Sequence, residues 1–214
     1  NEEMTAPLEN TLFTEDFESY DHTQNFATEC YTKKKVWNMP NMGAGSKFVQ
    51  ALDKDNSWVL KVGPTGGNPV SSGSAISCWN YNDVKPTMNI VVLDMWFKTG
   101  AKEYFSIKVN TGDGANILTI KELAINLGKD KIDADKWYNL VSEINTSTEK
   151  MSNTIKDQSG TQVFSETGKT LSGAKNFRGV GMKHVANGTE FGDIFYDDIK
   201  ITQRCGTPAI DGTK

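Results

Sequence analysis

The residues best placed to do chemistry in this sequence are aromatic side chains that alternate with hydrogen-bonding ones. In the run 75–81, Ser77, Trp79 and Tyr81 fall on one face of an extended strand, with Ile76 and Cys78 on the other. In 89–98, Asp94, Trp96 and Lys98 oppose Val91, Leu93, Met95 and Phe97; in 103–110, Tyr104, Ser106, Lys108 and Asn110 oppose Phe105, Ile107 and Val109. Indole and phenol rings stack on the C–H face of a sugar ring, and carboxylates, amides and ammonium groups take its hydroxyls, so aromatics with a polar handle suit such a partly wet contact. The pattern predicts a carbohydrate-binding surface of Trp79, Tyr81, Trp96 and Tyr104, with Asp94, Lys98 and Asn110 as polar partners and the aliphatic faces packed between sheets. Trp37, in a less regular stretch, is either a rim platform of that surface or a loop anchor, and Trp58 and Trp137 read as core or its edge.

Other chemistry has less to carry it. No Gly-rich phosphate loop, nucleophile elbow or His and Cys metal cluster occurs. Cys30, Cys78 and Cys205 cannot all pair within the chain and match no zinc or redox spacing; buried or free thiols and a single disulfide such as Cys30 with Cys205 both remain open. Asn145-Thr146-Ser147 and Asn187-Gly188-Thr189 are formal glycosylation sequons, triplets frequent by chance.

The elements that must position these residues are strands. Apolar and polar residues alternate, β-branched and aromatic types are abundant, and turn residues break the runs, which predicts strands over 12–17, 47–52, 58–62, 75–81, 89–98, 103–110, 116–120, 136–145, 151–156, 161–165, 177–184 and 192–202. About a dozen strands need two packed sheets or a barrel. With 214 residues, a single all-β domain over 1–204 is expected, followed by a linker at 205–214 into a further module of a larger protein. The irregular segment 19–45 reads as a long loop at one end of the sandwich and part of a binding rim. A formal net charge of -4 gives no electrostatic reason to expect nucleic acid, no run approaches the length of a membrane span, and the first residues lack the basic and apolar regions of a signal peptide, so the chain reads as a mature or excised segment.

Three segments in order resemble the concanavalin A-like lectin and glucanase superfamily and its jelly-roll carbohydrate-binding modules. They are Leu12-Phe13-Thr14-Glu15-Asp16-Phe17-Glu18-Ser19-Tyr20, similar to an opening strand; Asp135-Lys136-Trp137-Tyr138-Asn139-Leu140-Val141-Ser142-Glu143-Ile144-Asn145, similar to a strand leading into a hairpin; and Ile194-Phe195-Tyr196-Asp197-Asp198-Ile199-Lys200-Ile201, similar to a closing strand. The resemblance implies a two-sheet antiparallel β-sandwich whose first and last strands are neighbours. It also implies a structural calcium between the opening acids and the closing aspartates, with Asp16, Glu18, Asp197 and Asp198 as hard oxygen ligands and Asp53, Asp55 and Asp113 as weaker alternatives. Strict strand alternation sends residues 197 and 198 to opposite faces, so at most one of them is expected to ligate through its side chain.

The superfamily is functionally broad. The paired-glutamate run of its laminarinase-like hydrolases is absent here. Its lyases use a His and Tyr pair with a uronate-neutralising group; the nearest counterpart is Arg178 and His184 on one strand face with Tyr138 in reach, and the other histidine is His22. The expected function is a non-catalytic carbohydrate-binding module of an extracellular or cell-surface protein, holding a polysaccharide by aromatic stacking. The alternatives are an adhesion module whose partner is a protein, and a polysaccharide lyase or glycoside hydrolase with an unrecognised site.

Overall fold

The strand pattern is realised in a computed structural model that describes residues 9–38, 46–62, 75–100, 105–111, 115–119, 123, 127, 132–185 and 193–206, with backbone alone at 75–79, 105, 106, 116 and 183–185. Its strands are β1 (Asn10–Glu15), β2 (Trp37–Asn38), β3 (Ser46–Ala51), β4 (Ser57–Val62), β5 (Ala75–Asn80), β6 (Ile90–Thr99), β7 (Phe105–Asn110), β8 (Ala115–Thr119), β9 (Trp137–Asn145), β10 (Lys150–Asp157), β11 (Gln162–Thr170), β12 (Gly179–Val185) and β13 (Ile194–Arg204). They form an 8-stranded sheet in the order β11-β10-β9-β6-β13-β4-β3, with β1 also paired to β13, and a 5-stranded sheet in the order β2-β5-β12-β7-β8. The first and last strands are neighbours, antiparallel from Asn10 opposite Gln203 to Glu15 opposite Ile199.

Period-two alternation builds the core. Val91, Leu93, Met95 and Phe97 of β6, Leu140 and Ile144 of β9 and Ile199 and Ile201 of β13 meet Ile107 and Val109 of β7 and Val180 and Met182 of β12 in one buried cluster. Each such side chain contributes roughly 1.5–3 kcal/mol by leaving water. The β5–β12 seam needs a glycine at Gly179: its φ is +143°, and a Cβ there would run into Asn80 Oδ1, the atom that accepts the Val180 amide at 2.7 Å.

Segment 19–45 differs from the expected irregular loop. Where described it forms a π-helical turn at Ala27–Lys33 followed by β2, and it buries Tyr20, Phe26, Cys30 and Trp37. Trp37 is 0% exposed, edge-on to Phe13 with ring centroids 5.4 Å apart, so it is an anchor and not a rim platform. Its aromatic content closes one end of the core, which strand-period reasoning does not detect. Cys30 is buried and Cys205 exposed, both as free thiols, so a Cys30–Cys205 disulfide is not formed.

β13 departs from strict alternation at one place. Asp197 pairs with Trp96 and Lys200 with Asp94, so four residues of β13 span what three of β6 span. The surplus residue, Asp198, takes a φ of +46°. This is a β-bulge, and it re-aims the side chains beyond it. Ile199 and Ile201 turn into the core, while Lys200 comes to the outer face beside Asp94. A second local device is the β3–β4 turn, where Asp55 and Asn56 adopt φ of +53° and +56°, a left-handed conformation their short polar side chains tolerate. The turn carries Lys54 across the sheet surface to β13.

Candidate functional site

The outer face of the larger sheet carries an open groove of about 650 Å³, lined by Thr14, Glu15 and Asp16, by Ser19, Tyr20 and Val36, by Asp94 and Trp96, and by Asp198, Ile199 and Lys200. Register explains the floor: Thr14 of β1 lies opposite Lys200 of β13, and Lys200 opposite Asp94 of β6. A second depression of about 290 Å³, between Glu9, Val92, Glu143, Thr202 and Arg204, shares Asp94 and Lys200 with the first, so the surface extends along the strands.

Three carboxylates of the groove are held from within the protein. Asn139 Nδ2 donates to Asp94 Oδ1 at 2.7 Å, the Glu18 amide donates to Asp16 Oδ1 at 3.0 Å, and Lys54 Nζ donates to Asp198 Oδ2 at 2.6 Å. At the edge of the groove, Glu15 is buried and accepts from the Phe17 amide at 2.8 Å, from Trp37 Nε1 at 3.0 Å and from the Tyr20 hydroxyl. Burial raises its pKa above the usual glutamate value despite these donors. Trp96 is half-buried; it packs on the outer-face cluster of Ala51, Val59 and Trp137, which fixes one side of the ring.

Behind this wall sits a charged triad. Lys54 Nζ donates to Asp197 Oδ2 at 2.8 Å as well as to Asp198, and lies 5.5 and 5.7 Å from the ring centroids of Trp96 and Trp137. Asp197 is 0% exposed, and Ser57 Oγ adds a hydrogen bond to its Oδ2 at 3.1 Å. Burial, with the adjacent Asp198 charge, pushes Asp197 up to about 6 against the pull of Lys54. Burial also works against the Lys54 ammonium, but the two carboxylates outweigh it and hold that group above the usual lysine value.

Of the residues expected to contact sugar, Asp94 and Trp96 line the groove. Tyr81 lies outside the lining but donates its amide to Val36 O at 2.9 Å, and its ring, 36% exposed, tilts against Tyr31 at 5.9 Å. Lys98 is turned away from the groove, paired with Asp53 at 2.8 Å and 4.5 Å from the Phe195 ring centroid. Asn110 belongs to β7 of the smaller sheet. Trp79 is on β5 of that same sheet with its side chain outside the described residues, as is the whole of Tyr104. The expected single face across 75–81, 89–98 and 103–110 is therefore divided: β6 is in one sheet and β5 and β7 are in the other.

The acids expected to hold calcium are each engaged by another donor. Asp197 and Asp198 both turn to the Lys54 ammonium, because the bulge overrides the alternation that would send them to opposite faces. Glu18 Oε1 accepts the Trp58 amide at 2.8 Å. Among the described residues no group of three or more His, Cys, Asp or Glu side chains gathers as a metal site, and Asp113 lies outside them. Of the lyase-type residues, Arg178 precedes β12, Tyr138 is buried with its hydroxyl accepting the Asp133 amide at 2.8 Å, and the His184 side chain is outside the described residues. His22 instead stacks on Trp58 at 4.0 Å. Sequence reasoning missed Thr14, Ser19, Lys54 and Lys200. An allowance for a bulge in the closing Asp-Asp pair would have put Lys200 on the outer face.

No protein-family model matches the chain, and no curated protein sequence matches it. Its structure is similar to winged bean acidic lectin in complex with methyl-α-D-galactose, with TM-score 0.54 and 10% identity, over 92% of this chain and 100% of the lectin. It is also similar to a carbohydrate esterase from Shiga toxin-encoding bacteriophage phi24B, with TM-score 0.53 and 12% identity, over 92% of this chain and 99% of that one. A sialidase aligns with TM-score 0.49 and 7% identity, over 91% of this chain but 19% of its own length. The fold is that of the concanavalin-like jelly rolls. At these identities the likeness extends to architecture and no further.

Proposed function

We propose that this chain is a non-catalytic carbohydrate-binding module whose site is the groove on the outer face of the larger sheet. The observation that carries the reading is Trp96, an indole held half-buried at the groove between carboxylates that other side chains have already fixed in place. A sugar ring stacked on this indole would offer hydroxyls to Asp94, Asp198 and Asp16, and Lys200 would donate to a ring or hydroxyl oxygen. Pre-organised acceptors reduce the ordering cost of binding. The lining sets Asp16, Asp94 and Asp198 against the single base Lys200, which suits a neutral polysaccharide and disfavours uronates and sulfated glycans. The elongated surface shared with the second depression suits a chain rather than a terminal sugar. Two structural neighbours, a lectin solved with a galactoside and a carbohydrate esterase, agree with a sugar ligand. Such a module would work at the cell surface or outside the cell as part of a larger protein.

A panel of soluble neutral and acidic polysaccharides in affinity gels tests the reading. Retardation by at least one neutral polymer, with none by polygalacturonate or a sulfated glycan, is expected. Retardation by the acidic polymers alone would overturn it. Release of reducing or unsaturated ends from a bound polymer would convert the module into an enzyme.

A further inference from the structure

Lys54 lies against the closing aspartates of the jelly roll, two of the four acids at which a divalent cation was expected. We propose that Lys54 is the built-in cation of this site, its ammonium holding the β13 bulge and the groove wall so that neither fold nor ligand binding depends on a divalent metal. In its ligand-binding part this rests on the glycan reading above; in its stability part it does not.

The turn that carries Lys54 and the first residues of β4 together reach both acidic segments. Lys54 Nζ bonds Asp197 and Asp198 at 2.8 and 2.6 Å, Ser57 Oγ bonds Asp197 at 3.1 Å, and the next amide, that of Trp58, bonds Glu18 at 2.8 Å. Three carboxylate oxygens of the expected calcium set, Asp197 Oδ2, Asp198 Oδ2 and Glu18 Oε1, are thus taken by nitrogen donors, where calcium asks for six to eight oxygens. Here Oδ2 of both aspartates is already directed at one ammonium, which offsets one of their two charges. An ammonium has three donors and suits this small cluster. The Lys54 side chain is only 12% exposed, and the indoles of Trp96 and Trp137 complete its surroundings at 5.5 and 5.7 Å, the distance range of a cation over an aromatic face. A metal at this point would have to displace a charge that is buried, hydrogen-bonded and flanked by rings.

The consequence reaches the groove directly. Asp198, held at a φ of +46°, and Trp96 are both lining residues and both neighbours of the ammonium. Lys54 is thus a positioning residue, acting on the ligand through these two side chains.

The test combines melting and affinity gels on the intact chain with and without EDTA or added calcium, and on Lys54→Met and Lys54→Arg. The unaltered chain is expected to melt at the same temperature and to be retarded equally under all three conditions. Lys54→Met should lower Tm by roughly 10 °C, since it leaves two adjacent carboxylates without their partner. It should also shift tryptophan emission, through the loss of the cation beside Trp96 and Trp137, and weaken retardation by roughly tenfold. Lys54→Arg should recover more than half of each effect. A Tm or retardation that falls in EDTA and returns with calcium would overturn the proposal, as would a Lys54→Met protein that melts with the unaltered chain. Should Lys54→Met not fold, the EDTA comparison on the unaltered chain decides. If no polysaccharide is retarded at all, the glycan reading fails, while the melting comparison still decides the role of Lys54.

Discussion

Strand β6 presents two surfaces that differ in every physical respect. Val91, Leu93, Met95 and Phe97 on its inner face are 0% exposed and meet apolar side chains of both sheets. Val92, Asp94, Trp96 and Lys98 on its outer face are half-buried, and the two charged members are each tied to a named partner, Asp94 to Asn139 and Lys98 to Asp53. The inner face uses non-directional burial and accommodates any well-fitting apolar group. The outer face uses directed bonds in a partly wet layer, so its geometry depends on particular partners. In this chain the inner face makes the sandwich and the outer face makes the groove. The two should respond differently to substitution.

The largest effect should come from the inner face. Leu93→Ala removes a fully buried side chain from the inter-sheet cluster and should cost about 2–5 kcal/mol, read as a lower Tm or denaturation midpoint. Glycan retardation measured well below the new Tm should stay unchanged. A selective loss of retardation would break the division between the faces.

Next is the pH response of the outer face. The folded-state pKa of Asp197 is raised from 3.8 to about 6, so the folded chain binds more protons than the unfolded chain between those values. Stability from this group is therefore greatest below about 4 and declines as pH rises towards 6, by about 3 kcal/mol in all. Melting curves across that window should show the decline, and Asp197→Asn should flatten it. Equal slopes in the two proteins would remove Asp197 from the account.

Smaller again is the anchor beneath the groove edge. Trp37→Phe keeps the ring packing but leaves buried Glu15 without one of its three donors, a loss of about 1–3 kcal/mol with retardation little changed. The smallest effect belongs to the second depression. Glu143 and Arg204 form a 2.7 Å pair, but the side chains are 50% and 30% exposed, so Glu143→Gln should change stability by less than about 1 kcal/mol.

Much of this division is legible in the sequence. The alternation along 89–98 separates the two faces of β6, and the expected strands match the observed ones to within a few residues, because period-two patterning records which side of a sheet is dry. What alternation cannot record is which strands share a sheet. β5 and β6 follow each other in the chain yet belong to different sheets, and this divides Trp79 from Trp96. Nor does it record bulges: one left-handed residue, Asp198, turned a supposed metal ligand into a lysine partner and brought Lys200 to the floor. Lys54 escaped notice because its role depends on contacts some 140 residues away, at Asp197 and Asp198. Trp37 misled because an irregular stretch rich in aromatics resembles a rim until its packing is seen.

The central claim is that the outer face of β6 binds sugar through Trp96, and the most direct measurement compares the unaltered chain with Trp96→Ala in affinity gels containing neutral polysaccharides, with Tm recorded for both. Retardation of the unaltered chain that disappears in Trp96→Ala, with Tm lowered by only a few degrees, is the expected result. Retardation that survives in Trp96→Ala, or that is absent from the unaltered chain with every polymer, would contradict it.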